Sequence, residues 1–99
     1  MENSDISEEM LVDATILKKL FLGRRIGGKH LPIRFVIQGL PNRLHNLAKK
    51  RARKMIADGL IVSKISTGEE HISINPRRVS EVIEIVENVF PELKERLKQ

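Results

Sequence analysis

The chain has 99 residues, of which 40% are hydrophobic and 31% are charged, with a formal net charge of +5 and no cysteine. This length fits one domain over residues 1–99, and the composition is that of a globular chain rather than a disordered one. The lack of cysteine excludes disulfides, thiolate zinc sites and cysteine nucleophiles, and the lack of a long apolar run or basic leader argues against export and membranes, so we expect a cytoplasmic protein.

The first predicted element is an amphipathic helix over residues 7–22, ended by Gly23. Its apolar residues recur at three- and four-residue steps: Met10, Leu11, Ala14, Leu17, Leu20 and Phe21. A short extended segment at 29–31 precedes Pro32, and a brief helix over 32–38 is predicted next. The apolar run in that helix also fits a strand. The three phenylalanines are expected in the core: Phe21, Phe35 and Phe90.

The third predicted element is a helix over residues 42–58, with Asn42 placed to cap its start and Gly59 to end it. At 100° per residue, one face is apolar and consists of Leu44, Ala48, Ala52, Met55 and Ile56. The opposite face consists of Arg43, Asn46, Lys49, Lys50, Arg53 and Lys54. Arg51 falls at the edge of the apolar stripe, where we expect it to pack its stem or to pair with an internal acid.

Two β-branched segments, 60–66 and 71–75, then predict a hairpin with the loop Thr67-Gly68-Glu69-Glu70. Asn75 and Pro76 predict the cap and first turn of a helix. Its apolar residues are Val79, Val82, Ile83, Val86 and Val89. Pro91 interrupts it, and a last short helix is expected to carry Leu93 and Leu97.

The apolar stripe of this last long helix has two interpretations. It is either intramolecular core or, continued through Phe90 and Leu93, a dimer seam. We favour the second, which makes residues 76–99 a C-terminal helical extension used for homodimerisation.

Basic residues are concentrated in the middle of the chain. Between Asp13 and Asp58 lie 44 residues with twelve Lys or Arg and no acid. Local clusters of one sign attract polyanions, so a binding patch is favoured over the simpler alternative, a solvated helix face. The helix over 42–58 is the most basic part of this region.

The predicted order of elements is helix, short strand, short helix, long helix, hairpin, helix. This is the order of a winged helix-turn-helix, an α+β and mostly helical fold with a three-helix core, a β-hairpin wing and a C-terminal helix. The helix after the turn in such folds enters the major groove of DNA.

The sequence also resembles the small archaeal winged-helix proteins and, more loosely, winged-helix transcriptional regulators, over about Gly27 to Val86. The resemblance depends on Gly28-Lys29-His30, Leu40-Pro41, Asp58-Gly59-Leu60-Ile61 and residues 71–78. It implies that Arg43, Asn46, Lys50, Arg53 and Lys54 occupy recognition-helix positions and Lys64 the rim of the wing.

We therefore expect a nucleic-acid-binding protein, specifically a sequence-specific regulator that binds duplex DNA through helix 42–58. The expected DNA-binding residues are Lys29, Arg34, Arg43, Asn46, Lys49, Lys50, Arg53, Lys54 and Lys64. Arg43, Asn46 and Arg53 are the candidates for reading bases, since Arg and Asn suit bidentate contacts. About five phosphate contacts predict a salt slope of about −4 to −5. Glu69 and Glu70 in the loop are expected to keep the wing tip off phosphates.

Two other functions use the same basic residues. A winged-helix RNA-binding or ribosome-associated module binds folded RNA by shape and phosphate contacts. A protein-interaction module in a larger assembly presents its cationic face to an acidic partner.

Catalysis, metals and cofactors have no candidate residues. His30, His45 and His71 lack metal-ligand spacing, and the central region has no carboxylate. Residues 23–30 nearly match a phosphate-binding loop, but His30 stands where Ser or Thr is required and the preceding segment is helical. We expect no enzymatic activity, no metal and no cofactor.

Overall fold

The first helix, α1 (Glu8–Leu22), begins where the Ser7 side chain accepts a hydrogen bond from the Met10 amide at 3.0 Å. The computed structural model describes residues 6–98, so residue 99 of the predicted extension lies outside it. Helix α1 packs against the three other helices and the sheet, so its buried face is broad and starts at Val12. Met10 and Leu11 were predicted to be in the apolar stripe, but they lie 43% and 39% exposed in the first turn.

Strand β1 (Leu31–Pro32) leads directly into helix α2 (Ile33–Gln38). The helical interpretation of this apolar run is confirmed, and the alternative interpretation as a strand is wrong. A helix of six residues buries only one side, here Val36 and Ile37, and Phe35 is left 43% exposed. The prediction that Phe35 belongs to the core is therefore wrong. Its ring instead lies 4.4 Å from the Arg34 guanidinium.

Helix α3 (His45–Asp58) follows a 3₁₀ turn at Asn42–Leu44. No side chain caps its start, so the predicted cap by Asn42 is wrong. Its end is as predicted: Gly59 has φ +85°, a left-handed backbone that costs glycine little. The predicted apolar face is confirmed, because Ala48 and Ala52 are completely buried and Met55 nearly so.

Strands β2 (Ile61–Ser66) and β3 (Glu69–Ile74) form an antiparallel hairpin, and β1 pairs with the other side of β3. The predicted four-residue loop is wrong. Only Thr67 and Gly68 lie in the turn, and both have positive φ, +51° and +83°, as in the tightest hairpin turns. A threonine with positive φ is uncommon, which is why the sequence did not reveal this turn. Glu69 and Glu70 consequently belong to β3.

Helix α4 (Val79–Val89) begins after a 3₁₀ turn at Pro76–Arg78. The predicted cap is confirmed, since Asn75 Oδ1 accepts the Arg77 amide at 3.0 Å. The predicted last helix is instead a pair of 3₁₀ turns, Pro91–Leu93 and Arg96–Lys98.

The apolar stripe of α4 faces the chain's own core. Val82 and Val86 are completely buried, α4 packs against α1, and Leu97 is also completely buried. These side chains belong to one cluster with those of α1, α3 and the sheet. The stripe itself therefore offers little surface to a second copy, and the homodimer stays a prediction.

Residues 6–98 thus form an α+β fold of four α-helices and one three-stranded antiparallel sheet, in the strand order β1-β3-β2. This arrangement is compatible with a winged helix. None of the helices in this part of the chain is both long and apolar enough to cross a membrane.

Candidate nucleic-acid interface

The outer face of α3 is polar and basic along its length. The six predicted positions on this face are exposed: Arg43, Asn46, Lys49, Lys50, Arg53 and Lys54. The buried face on the other side of the helix fixes this orientation through Leu44, Ala48 and Met55. Within residues 6–98, Lys49 and Lys50 have no acidic partner within 4 Å. These two ammonium groups are therefore the least neutralised charges on the helix.

Acidic side chains reach other cations of this face. Arg43 Nη1 donates to Glu8 Oε2 of α1 at 2.6 Å, and both side chains are at least half exposed. Lys54 Nζ lies 3.7 Å from Asp58 Oδ1, one turn further along α3. Sequence analysis missed the Glu8 pair, because Glu8 precedes Arg43 by 35 residues.

The hairpin supplies two more acidic partners. Glu69 accepts from Arg34 of α2, at 2.7 Å from Nε and 3.3 Å from Nη2. This hydrogen bond with Arg34 holds the pKa of the Glu69 carboxyl below its ordinary value. Glu70 accepts from Arg53 Nη2 at 2.5 Å. The predicted loop concealed both pairs, because the strand fixes the direction of each carboxylate. As a strand residue, Glu70 shares a face with Ile72 and Ile74.

A groove of about 510 Å³ is lined by residues of α2, α3 and β3. Ile33 and Ile37 give it an apolar part, and Lys49 and Arg53 are among its charged lining residues. His45 at the start of α3 also lines it, with Nε2 2.7 Å from the Leu40 carbonyl oxygen. That nitrogen donates, because a carbonyl only accepts, and the bond ties α3 to the preceding turn.

Arg51 is the one arginine of α3 that is turned toward the protein. Its Nε and Nη2 each donate to the Asp13 carboxylate of α1 at 2.8 Å, and both side chains are about four-fifths buried. The hydrogen bonds that Arg51 donates to Asp13 raise the pKa of its guanidinium. The prediction that Arg51 pairs with an internal acid is confirmed, and its guanidinium is committed to joining α1 to α3.

Lys64 and Lys29 lie elsewhere. Neighbouring residues of a strand point to opposite faces, so Lys64 points away from the face that carries Ser63 and Glu70. Lys64 pairs across the strands with His71. Lys29 is exposed in the segment before β1. The structure thus gathers the predicted residues of α3 with Arg34 and leaves Lys64 on the other side of the sheet.

The outer face of the sheet carries a histidine pair. His30 Nδ1 and His71 Nδ1 are 2.9 Å apart, so one ring donates to the other. Burial, His71 and the nearby cations Lys64 and Arg25 lower the pKa of His30. Within residues 6–98, no three His, Asp or Glu side chains are grouped to hold a metal ion.

Comparison with protein-family models, with curated proteins and with solved structures gave no match for this chain. The geometry of α3 and its surroundings is therefore the basis for assigning a function.

Proposed function

We propose that the protein is a winged helix-turn-helix regulator that binds duplex DNA in a sequence-specific manner. In this proposal α2 and α3 form the helix-turn-helix, α3 enters the major groove, and the β2–β3 hairpin is the wing. The order of the elements and the short connection between α2 and α3 support this assignment.

The observation that carries the proposal is that α3 exposes a basic face while its opposite face is buried in the core. A major groove about 12 Å wide admits an α-helix. Lys49 and Lys50, free of acidic partners within residues 6–98, are suited to phosphate contacts. Asn46 is exposed between the basic positions and is suited to an adenine edge.

The exposed ion pairs do not prevent such contacts. Pairs between solvated side chains contribute little to stability, because water already screens both charges. A phosphate oxygen can therefore replace Glu8 as the partner of Arg43. Glu70, the partner of Arg53, is less exposed than Glu8.

Fluorescence anisotropy with a labelled random-sequence duplex tests whether α3 forms the DNA interface. The Lys49→Glu plus Lys50→Glu variant is compared with Lys94→Glu plus Lys98→Glu, which reverses two exposed charges on the C-terminal turns and changes net charge equally. We expect only the first variant to lose affinity, by at least about tenfold, and its salt slope to fall by about two. Equal losses in both variants would indicate attraction by net charge and would refute an interface on α3.

A competition binding experiment distinguishes a DNA-binding function from an RNA-binding one. Folded RNA and duplex DNA of equal length are titrated against the labelled duplex at one salt concentration. The proposal requires duplex DNA to compete at least as well as the RNA. A clear preference for folded RNA would instead support the ribosome-associated or RNA-binding module.

A further inference from the structure

Arg53 of α3 is held by a network that the hairpin provides. Its Nη2 donates to Glu70 Oε2 at 2.5 Å, and the Ser63 hydroxyl of β2 donates to the same oxygen at 2.5 Å. Ser63 and Glu70 lie on adjacent strands and share one face of the sheet. The Glu70 side chain is 26% exposed and that of Arg53 is 57% exposed. The anchoring carboxylate is therefore partly buried, and the arginine that it holds remains accessible.

The two other exposed arginines among the expected DNA-binding residues are held differently. Arg34 uses both Nε and Nη2 on Glu69, so one edge of its guanidinium is already occupied. Arg43 pairs with Glu8, and these two side chains are 71% and 50% exposed. An arginine has five N–H donors, and within residues 6–98 Arg53 uses only Nη2 for a side-chain partner. Arg53 is thus fixed from one side with most of its donors available.

The charge of the Arg53–Glu70 pair also affects which DNA group Arg53 can contact favourably. The hydrogen bonds from Arg53 and Ser63 hold the pKa of Glu70 below its ordinary value, so the carboxylate is charged at neutral pH. An arginine beside a carboxylate binds a phosphate less favourably, because the carboxylate repels the phosphate. A base edge carries no net charge, so its acceptors do not suffer this repulsion.

We propose that Glu70 is a positioning residue that, together with Ser63, orients Arg53 for a bidentate contact with a guanine. This inference rests on the proposed binding of duplex DNA through α3. Guanine presents O6 and N7 acceptors side by side in the major groove, which matches the arginine fork. Fixing the side chain in advance reduces the conformational entropy lost on contact. In this arrangement Arg53 reads sequence, whereas Lys49 and Lys50 contact phosphates.

The experiment begins with selection of duplexes from a random pool by the wild-type protein. Affinities for the selected duplex and for a random duplex of equal length are then measured for the wild type, Glu70→Gln and Glu69→Gln. The second variant is a matched control, since Glu69 is the adjacent residue and also pairs with an arginine, but that arginine lies on α2. Far-UV circular dichroism and melting curves verify that both variants fold.

We expect Glu70→Gln to lower the ratio of the two affinities by about tenfold, within the range of one bidentate base contact, and Glu69→Gln to leave it unchanged. Selection repeated with Glu70→Gln should lose the preference for one base pair, and Arg53→Ala should lose the preference for that same pair. In the Arg53→Ala background, Glu70→Gln should have no further effect on the ratio.

Two results would overturn the inference alone. The first is an equal gain of affinity of Glu70→Gln for both duplexes, which would make Glu70 only a repellent of phosphate. The second is a loss of preference at a base pair that Arg53→Ala does not affect. If the wild-type protein enriches no sequence at all, the proposal of a sequence-specific regulator fails as well.

Discussion

The Arg51–Asp13 pair should contribute measurably to folding, unlike the exposed pairs around it. The change that tests this is Asp13→Asn, which keeps the shape of the side chain but removes its charge. One amide oxygen can still accept from Arg51, whereas the amide nitrogen would face the second donor of the guanidinium. The substitution therefore removes one of two charged hydrogen bonds of 2.8 Å.

The expected loss follows from the burial of the pair. Hydrogen bonds to charged groups contribute about 1.5–3 kcal/mol, and the two side chains are 22% and 17% exposed, so we expect a loss of about 2 kcal/mol. For a chain of this length this lowers the melting temperature by about 8–16 °C. Urea unfolding at neutral pH, followed by circular dichroism, measures the same loss as a lower midpoint with an unchanged m-value.

Glu8→Gln is the matched control, because Glu8 also pairs α1 with an arginine, Arg43 in the 3₁₀ turn before α3, but through a well-exposed pair. It should leave the unfolding midpoint within error of the wild type. Equal losses in Asp13→Asn and Glu8→Gln would refute the reasoning, since burial would then not distinguish the two pairs.

Three further predictions concern the backbone, the C-terminus and pH. Gly59→Ala should cost about 1–2 kcal/mol of stability, since φ is +85° and the new Cβ would lie 3.1 Å from Arg78 Nη1, whereas Gly28→Ala meets nothing within 4 Å and should cost nothing in the same urea assay. Leu97→Ala should lose about 2 kcal/mol or more in that assay, because Leu97 is completely buried; no loss would mean that the last turn is not part of the core. The lowered folded-state pKa of Glu70 gives stability that is present above the ordinary glutamate pKa of about 4.3 and is lost as the pH falls through the folded value, so melting temperatures should fall less with acid in Glu70→Gln than in the wild type.

The helices were largely predictable because their signals are local. The 3.6-residue period of α3 identified its buried and exposed faces, and Gly59 marked its end. The cap at Asn75 was also readable, since the residue and the amide that it accepts lie two positions apart. The start of α3 could not be predicted from Asn42, because a 3₁₀ turn replaces the expected side-chain cap.

The hairpin was harder to predict for a physical reason. Its turn requires two consecutive residues with positive φ, and Thr67 is among the residues that rarely adopt it. Moving Glu69 and Glu70 from the loop into β3 changes their chemistry. As loop residues they would only repel phosphates, but as strand residues they bond to Arg34 and Arg53.

The lack of acids in the central 44 residues did not predict how far the cations are neutralised in space. Glu8 and Glu69 each reach an arginine 35 residues away, and such contacts depend on the packing of whole elements. The basic surface is consequently less charged than the sequence indicates, and its arginines differ from two of its lysines in having acidic partners. The arginines at 34, 43 and 53 have acidic partners, whereas Lys49 and Lys50 have none within residues 6–98.

This difference bears on the salt dependence of the proposed DNA binding. The slope reflects counterions released from DNA by the phosphates that the protein neutralises. An arginine that keeps its carboxylate neutralises no phosphate. With Lys49, Lys50 and the weakly held Arg43 as the contacts, about three phosphates are neutralised and the slope is about −3. A slope of about −4 to −5 corresponds to about five phosphates. It would therefore need two further contacts, from Arg34 and Arg53 released from their glutamates or from other exposed lysines such as Lys54.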